Sequence, residues 1–176
     1  MMAIYRQLLI FVEGDDDELF FDKVVELMFR EKYDSVSLIQ WAQERKGKTD
    51  SYIKSIKSEN WNADYILVTD MDTPCVTAKK KKIQRRFRNV DEDRIMVVRK
   101  EIESWYLAIL DDGKCKEFGV PSFRTDDVTK EQFNGLIPKK FDSGIDFMRE
   151  ILKSFDIEIA KRKNRSFKYF AEKYDP

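Results

Sequence analysis

Two short acidic clusters carry the chemistry open to this sequence. Glu13 closes the apolar run Leu9-Ile10-Phe11-Val12, and Asp70 and Asp72 close a second run, Ile66-Leu67-Val68-Thr69. Just past a strand, alternate side chains point the same way, so two carboxylates two residues apart can face one cation. Carboxylates held that close repel one another unless a cation neutralises them. A third from Glu13 would worsen the repulsion without metal and improve binding with it. The chain contains no histidine, which excludes a Ser/His triad, a Cys/His pair and every His-ligated metal site. Metal chemistry would have to run on oxygen ligands, which suits Mg²⁺ or Mn²⁺.

The elements that must position these acids read as alternating strands and helices. Gln7–Val12 is an apolar run of the kind buried on both faces of a parallel sheet. Asp15 or Asp16 can cap the helix after it, whose apolar stripe is Phe20, Phe21, Val24, Leu27 and Met28. A second strand is expected over Ser35–Gln40, and a helix opening at Thr49 or Asp50 carries Tyr52, Ile53 and Ile56. Tyr65–Thr69 is the third strand and Pro74 bars its continuation; Val76–Arg88 reads as a basic helix, Arg94–Arg99 as a fourth strand and Glu103–Leu110 as an apolar helix. This alternation predicts a doubly wound or three-layer α/β fold around a central, mostly parallel sheet. Beyond Asp111 the strand signal fades into a loop-rich stretch punctuated by Gly119, Pro121, Gly135 and Pro138, followed by helices at Ile145–Phe155 and Ile157–Lys173. The expected organisation is an α/β domain over residues 1–112, the part that would carry the chemistry, and a loop-rich, helical extension packed on it over 113–176. In open parallel sheets ligands bind outside the carboxyl ends of the strands, where both acidic clusters fall.

An apolar fraction of 42% and an aromatic fraction of 13% over 176 residues are those of a folded chain. Formal charge is zero while 38% of residues are charged, so the balance conceals local asymmetry. The strongest instance is Lys79–Arg88, KKKKIQRRFR, with seven cations in ten residues. It reads as an exposed helix whose charge, beside the acids, could attract a phosphate backbone. A second basic cluster of Lys161, Arg162, Lys163, Arg165 and Lys168 interleaves with Phe167, Tyr169 and Phe170, aromatics better suited to packing than to stacking on bases. Trp105 and Tyr106 read as core, whereas nothing assigns a task to Trp41 or Trp61. Two cysteines, Cys75 and Cys115, are too few for a disulfide framework or zinc site, and no apolar run reaches the roughly 18 residues of a membrane span. A reduced, cytoplasmic protein is expected.

The two acidic motifs, in order and each on an expected strand, resemble those of the Toprim domain, the catalytic module of topoisomerases, primases and certain nucleases. Leu9-Ile10-Phe11-Val12-Glu13-Gly14, with Asp17 four residues after the glutamate, is similar to its first motif. Ile66-Leu67-Val68-Thr69-Asp70-Met71-Asp72 is similar to its second. Lys100-Glu101-Ile102-Glu103-Ser104-Trp105-Tyr106-Leu107 resembles a segment of the small standalone and OLD-type Toprim nucleases. The resemblance covers roughly residues 5–110. It implies a Mg²⁺- or Mn²⁺-dependent nuclease of a Toprim-like fold, for DNA repair or phage defence, acting on DNA before RNA. Asp70 and Asp72 would hold metal, Glu13 would be a ligand or the base, and Asp17 and Glu103 would complete a second cation position, with Glu101 the understudy to Glu103. Lys79, Lys80, Arg85, Arg86, Lys163 and Arg165 are the candidate nucleic-acid contacts. These 176 residues contain no ATPase domain of the kind OLD-type nucleases carry, so a separate ATPase partner is a further expectation. The competing reading is a Toprim-like binding module, too incomplete for turnover, within a larger complex; a phosphatase of small substrates comes third.

Overall fold

The computed structural model describes residues 4–45, 47–58 and 61–175. The chain folds as two compact units, Met1–Val97 and Val98–Pro176.

The first unit carries the sheet. Its strands are β1 (Gln7–Val12), β2 (Ser35–Gln40), β3 (Ala63–Asp70) and β4 (Ile95–Val98), in the spatial order β2-β1-β3-β4. β1 runs parallel to both neighbours, with Phe11 opposite Ile39 on one side and Leu67 on the other. The connecting helices are α1 (Asp15–Val24), α2 (Lys48–Lys57) and α3 (Val76–Arg86). From β1 the chain first steps outward to β2, then crosses back to β3 and on to β4. Right-handed crossovers therefore put α1 on one face of the sheet and α2 and α3 on the other. The α2/α3 face buries Leu9, Phe11, Tyr65, Leu67, Ile95 and Val97 against Ile53, Ile56 and Ile83. The intervening residues Leu8, Ile10, Val12, Ile66 and Val68 are equally buried. Burial on both faces is why these strands read as continuous apolar runs instead of alternating ones.

The expected stripe of the first helix is correct at Phe20, Phe21 and Val24, each fully buried, and at Met28. It fails at Leu27, which is 42% exposed, while Phe29 is buried in its place. The cause is a π-turn over Val25–Phe29, in which Arg30 N–H bonds to the carbonyl of Val25. One extra residue per turn moves the inward face along by one position.

The second unit is helical: α4 (Glu103–Ala108), α5 (Asp112–Phe118), α6 (Lys130–Leu136), α7 (Gly144–Leu152), α8 (Ile157–Lys163) and α9 (Arg165–Tyr174). Two corrections to the sequence reading arise here. The stretch read as loop holds α5 and α6, short helices capped by Asp111 and Thr129. The division expected after residue 112 lies at 97/98, because all six residues of α4 are buried and the helix packs against α6, α7 and α8. Trp105 and Tyr106 are core residues as expected; Trp105 meets Phe167 edge-on at 5.1 Å, and Tyr106 lies 6.2 Å from Phe133.

The single helix expected over Ile157–Lys173 is broken at Asn164, which ends α8 and caps α9. Asn164 is fully buried; its Oδ1 accepts from Phe167 N–H at 3.0 Å and Ser166 hydroxyl at 2.9 Å. Its Nδ2 donates to the hydroxyls of Thr125 at 3.1 Å and Ser104 at 3.3 Å. Both cysteines are free thiols, and among the described residues no helix is long and apolar enough to cross a membrane. Replacing Asn164 removes a cap and strands buried hydroxyls, so Asn164→Ala should lower stability by about 2–3 kcal/mol in chemical denaturation.

Candidate active site

The order β2-β1-β3-β4 makes the gap between the carboxyl ends of β1 and β3 the point where the crossovers diverge, the usual place for a ligand in an open α/β sheet. Glu13 follows the last residue of β1 and Asp70 is the last residue of β3. There they meet: Glu13 Oε2 accepts the backbone N–H of Asp70 at 3.0 Å and the hydroxyl of Thr69 at 3.3 Å. One oxygen of Glu13, Oε2, is thereby fixed over the end of β3.

Trp41, to which the sequence assigns no task, joins the same two strand ends. Its backbone N–H donates to Val12 O and its indole Nε1–H to Val68 O, each at 2.9 Å. The indole is buried beneath the guanidinium of Arg86, 4.8 Å from the ring centroid. A tryptophan after a strand gives no sequence cue of this kind, because the carbonyl it serves lies 27 residues away.

Asp72 is engaged from α3. Lys79 Nζ lies 2.6 Å from its Oδ1 and Lys82 Nζ 2.9 Å from its Oδ2, so both oxygens are engaged by ammonium groups. Lys79, from a run expected to be solvated all round, is 3% exposed. Cys75 caps α3 through its sulfur, which accepts from Ala78 N–H, while Ile83 anchors the helix in the core. The lysines three apart then lie on one side of α3 and reach Asp72 together.

Asp17 is buried, and its Oδ2 accepts Gly14 N–H at 3.2 Å, serving the start of α1. Gln40, at the end of β2, donates to Asp15 Oδ1 at 2.7 Å and to Glu18 Oε2. Glu103 belongs to the second unit, where it is buried with Lys130 Nζ at 3.6 Å; Glu101 accepts Lys130 N–H. Among the described residues, no three His, Cys, Asp or Glu side chains group as a set that could hold a metal ion. Of the five expected ligands, Glu13 and Asp70 are joined directly, through the Asp70 backbone N–H.

The expected cations divide similarly. Arg85 is exposed and Lys80 half-buried on α3; Arg86 covers Trp41. In the second unit, Lys163 Nζ donates to the carbonyls of Leu107 at 3.3 Å and Leu110 at 2.8 Å, closing the end of α4. Arg165 is exposed, and its backbone N–H donates to Asp126 at 2.7 Å.

An all-oxygen pair fits a hard divalent cation, since magnesium commonly takes one or two protein carboxylates and leaves other positions to water and phosphate. Glu13 and Asp70 supply two carboxylates at neighbouring strand ends, and both oxygens of Asp72 face lysine ammonium groups. No family model, curated protein or solved structure matches this chain.

Hydrogen bonds from Lys79 and then Lys82 hold the Asp72 carboxyl at about 2, below its ordinary 3.8. A depressed carboxyl pKa stabilises the fold above its unfolded value, and that stability is lost as pH falls through the folded value. The Asp72 side chain is 55% exposed, so water screens the pair and the contribution is about 1 kcal/mol. Stability measured by denaturant should fall between about pH 4 and pH 2, and Asp72→Asn should flatten that part of the profile.

Proposed function

We propose that this chain is a Toprim-type phosphodiesterase that cleaves nucleic acid with Mg²⁺ or Mn²⁺, and that Glu13 and Asp70 form its centre. The observation that carries the reading is the Glu13 carboxylate seated on the N–H of Asp70, at the divergence of β1 and β3. Structural acids at strand ends have no need to share one crevice, whereas ligands of one cation do. Bound between Glu13 and Asp70, the ion would polarise a phosphate and increase the acidity of water beside it. The chain's own contribution is to hold Glu13 Oε2 still, through Thr69 and the Asp70 amide, so that Oε1 meets its ligand without reorganisation. Lys80 and Arg85 follow the acids directly on α3 and offer positive charge to the phosphate backbone of a DNA substrate.

A specific observation favours the second reading, a binding module without turnover: lysines occupy both oxygens of Asp72, one of the three acids expected at the centre. Cleavage assays separate the two. Single- and double-stranded DNA and RNA should be cut with Mg²⁺ or Mn²⁺ and not with EDTA, and Asp70→Ala should lose at least about 100-fold, on the scale of removing a principal electrostatic contact. Full activity in Asp70→Ala, or activity in EDTA, would refute the mechanism. Binding without cleavage in both proteins would establish the module instead.

Binding measured against salt tests the contact residues. Each phosphate neutralised contributes about 0.9 to the slope of log affinity against log salt on a duplex, so Lys80→Ala/Arg85→Ala should reduce that slope by about 2. An unchanged slope would remove α3 from the interface.

A further inference from the structure

Lysines on one helix face normally keep their ammonium groups in water and bury only the stem. Lys79 does otherwise: its side chain is 4% exposed, and its Nζ lies 2.6 Å from Asp72 Oδ1. A buried ammonium stays charged only where a carboxylate faces it, and such a pair seldom adds stability over an apolar pair of the same volume. Packing alone therefore does not account for it. Its position supplies a reason, because Asp72 lies two residues beyond Asp70, where the second carboxylate of an Asp-x-Asp pair would serve a further cation.

We propose that Lys79 is the fixed second cation of the site, so that the protein binds one divalent ion, at Glu13 and Asp70, instead of two. The proposal rests on the metal-dependent reading above. Lys79 occupies Oδ1 of Asp72 and Lys82 occupies Oδ2, which leaves that carboxylate neither a vacant oxygen nor an uncompensated charge. The two lysines differ in permanence. Lys82 is 58% exposed and its pair with Asp72 is screened by water, so a substrate phosphate can draw it away; Lys79 is held in place by burial. A divalent ion approaching Asp72 would meet a buried positive charge that cannot withdraw. Lys79 is thus a positioning residue, setting how many ions the acids accept.

The test counts ions on the full chain without nucleic acid, by Mn²⁺ titration read through electron paramagnetic resonance and calorimetry. Wild type should bind one Mn²⁺, and Lys79→Met should admit a second, weaker ion. Lys79→Arg should keep one. Lys79→Met/Asp72→Asn removes a pair of zero net charge and should bind one ion with an affinity within about threefold of wild type, since one pKd unit corresponds to tenfold. This double variant leaves no charge buried alone, so it shows whether Asp72 ligates the bound ion even if Lys79→Met fails to fold, and the wild-type count still tests the proposal. Two ions in wild type, one ion in folded Lys79→Met, or a tenfold or greater loss of affinity in the double variant would overturn the proposal while leaving the metal-dependent reading standing. No Mn²⁺ bound by wild type would overturn both.

Discussion

Backbone groups at the carboxyl end of a parallel sheet lose their ladder partners where neighbouring strands diverge, and buried ones must find others. That constraint shapes the first unit of this protein. β1 and β3 are paired through Phe11 and Leu67. Immediately beyond, Val12 O, Val68 O and Asp70 N–H are served by Trp41 N–H, the Trp41 indole and the Glu13 carboxylate. The acid proposed as central to the chemistry is therefore also a structural acceptor. Its position follows from the sheet's own hydrogen-bond accounting, which makes it rigid before any ligand arrives.

The same arrangement explains why α3 is both basic and well anchored. Ile83 holds it in the core, Arg86 covers the indole that ties the strand ends, and Lys79 and Lys82 close on Asp72. Lysine early in a helix opposes the macrodipole, and the carboxylate just ahead of the helix offsets that cost. The helix thus presents two kinds of cation. Lys79 and Arg86 are bound to partners within the unit, whereas Lys80 is half-buried and Arg85 exposed. A run of identical charges becomes a differentiated surface once one apolar residue fixes its rotation.

β1 and β3 were legible because burial on both faces leaves a plain signature, and β3 extends its run only to Ala63 and Asp70; β2, with no fully buried residue, also lies where expected. The second unit was less so. Its helices α5 and α6 are seven residues each and owe their ends to caps and turns, so periodicity over one or two turns cannot distinguish them from loop. Asn164 reads as an ordinary polar residue in a helical pattern, and only its partners Ser104 and Thr125, far away in sequence, show it as a break. The π-turn after α1 has no local cue in Val25–Phe29. At the site, proximity of Glu13 to Asp70 followed from topology. The capture of Asp72 did not, because a lysine run is read as solvated and nothing in KKKK distinguishes the first member from its neighbours.

That last difference bears on what an Asp-x-Asp pair means. Spacing of two puts carboxylates on one side of an extended chain, but β3 ends at Asp70, and Pro74 and the cap of α3 turn the chain within a few residues. Asp70 is held by the sheet, and Asp72 by whichever charges the following helix brings to it. The alternation argument therefore applies to the first acid and lapses at the second. Two carboxylates with the same spacing can then have unlike settings, one fixed at the end of a strand and the other retaining a lysine. Which setting the second takes is decided by the helix after the motif, through the position of one cation relative to its buried face.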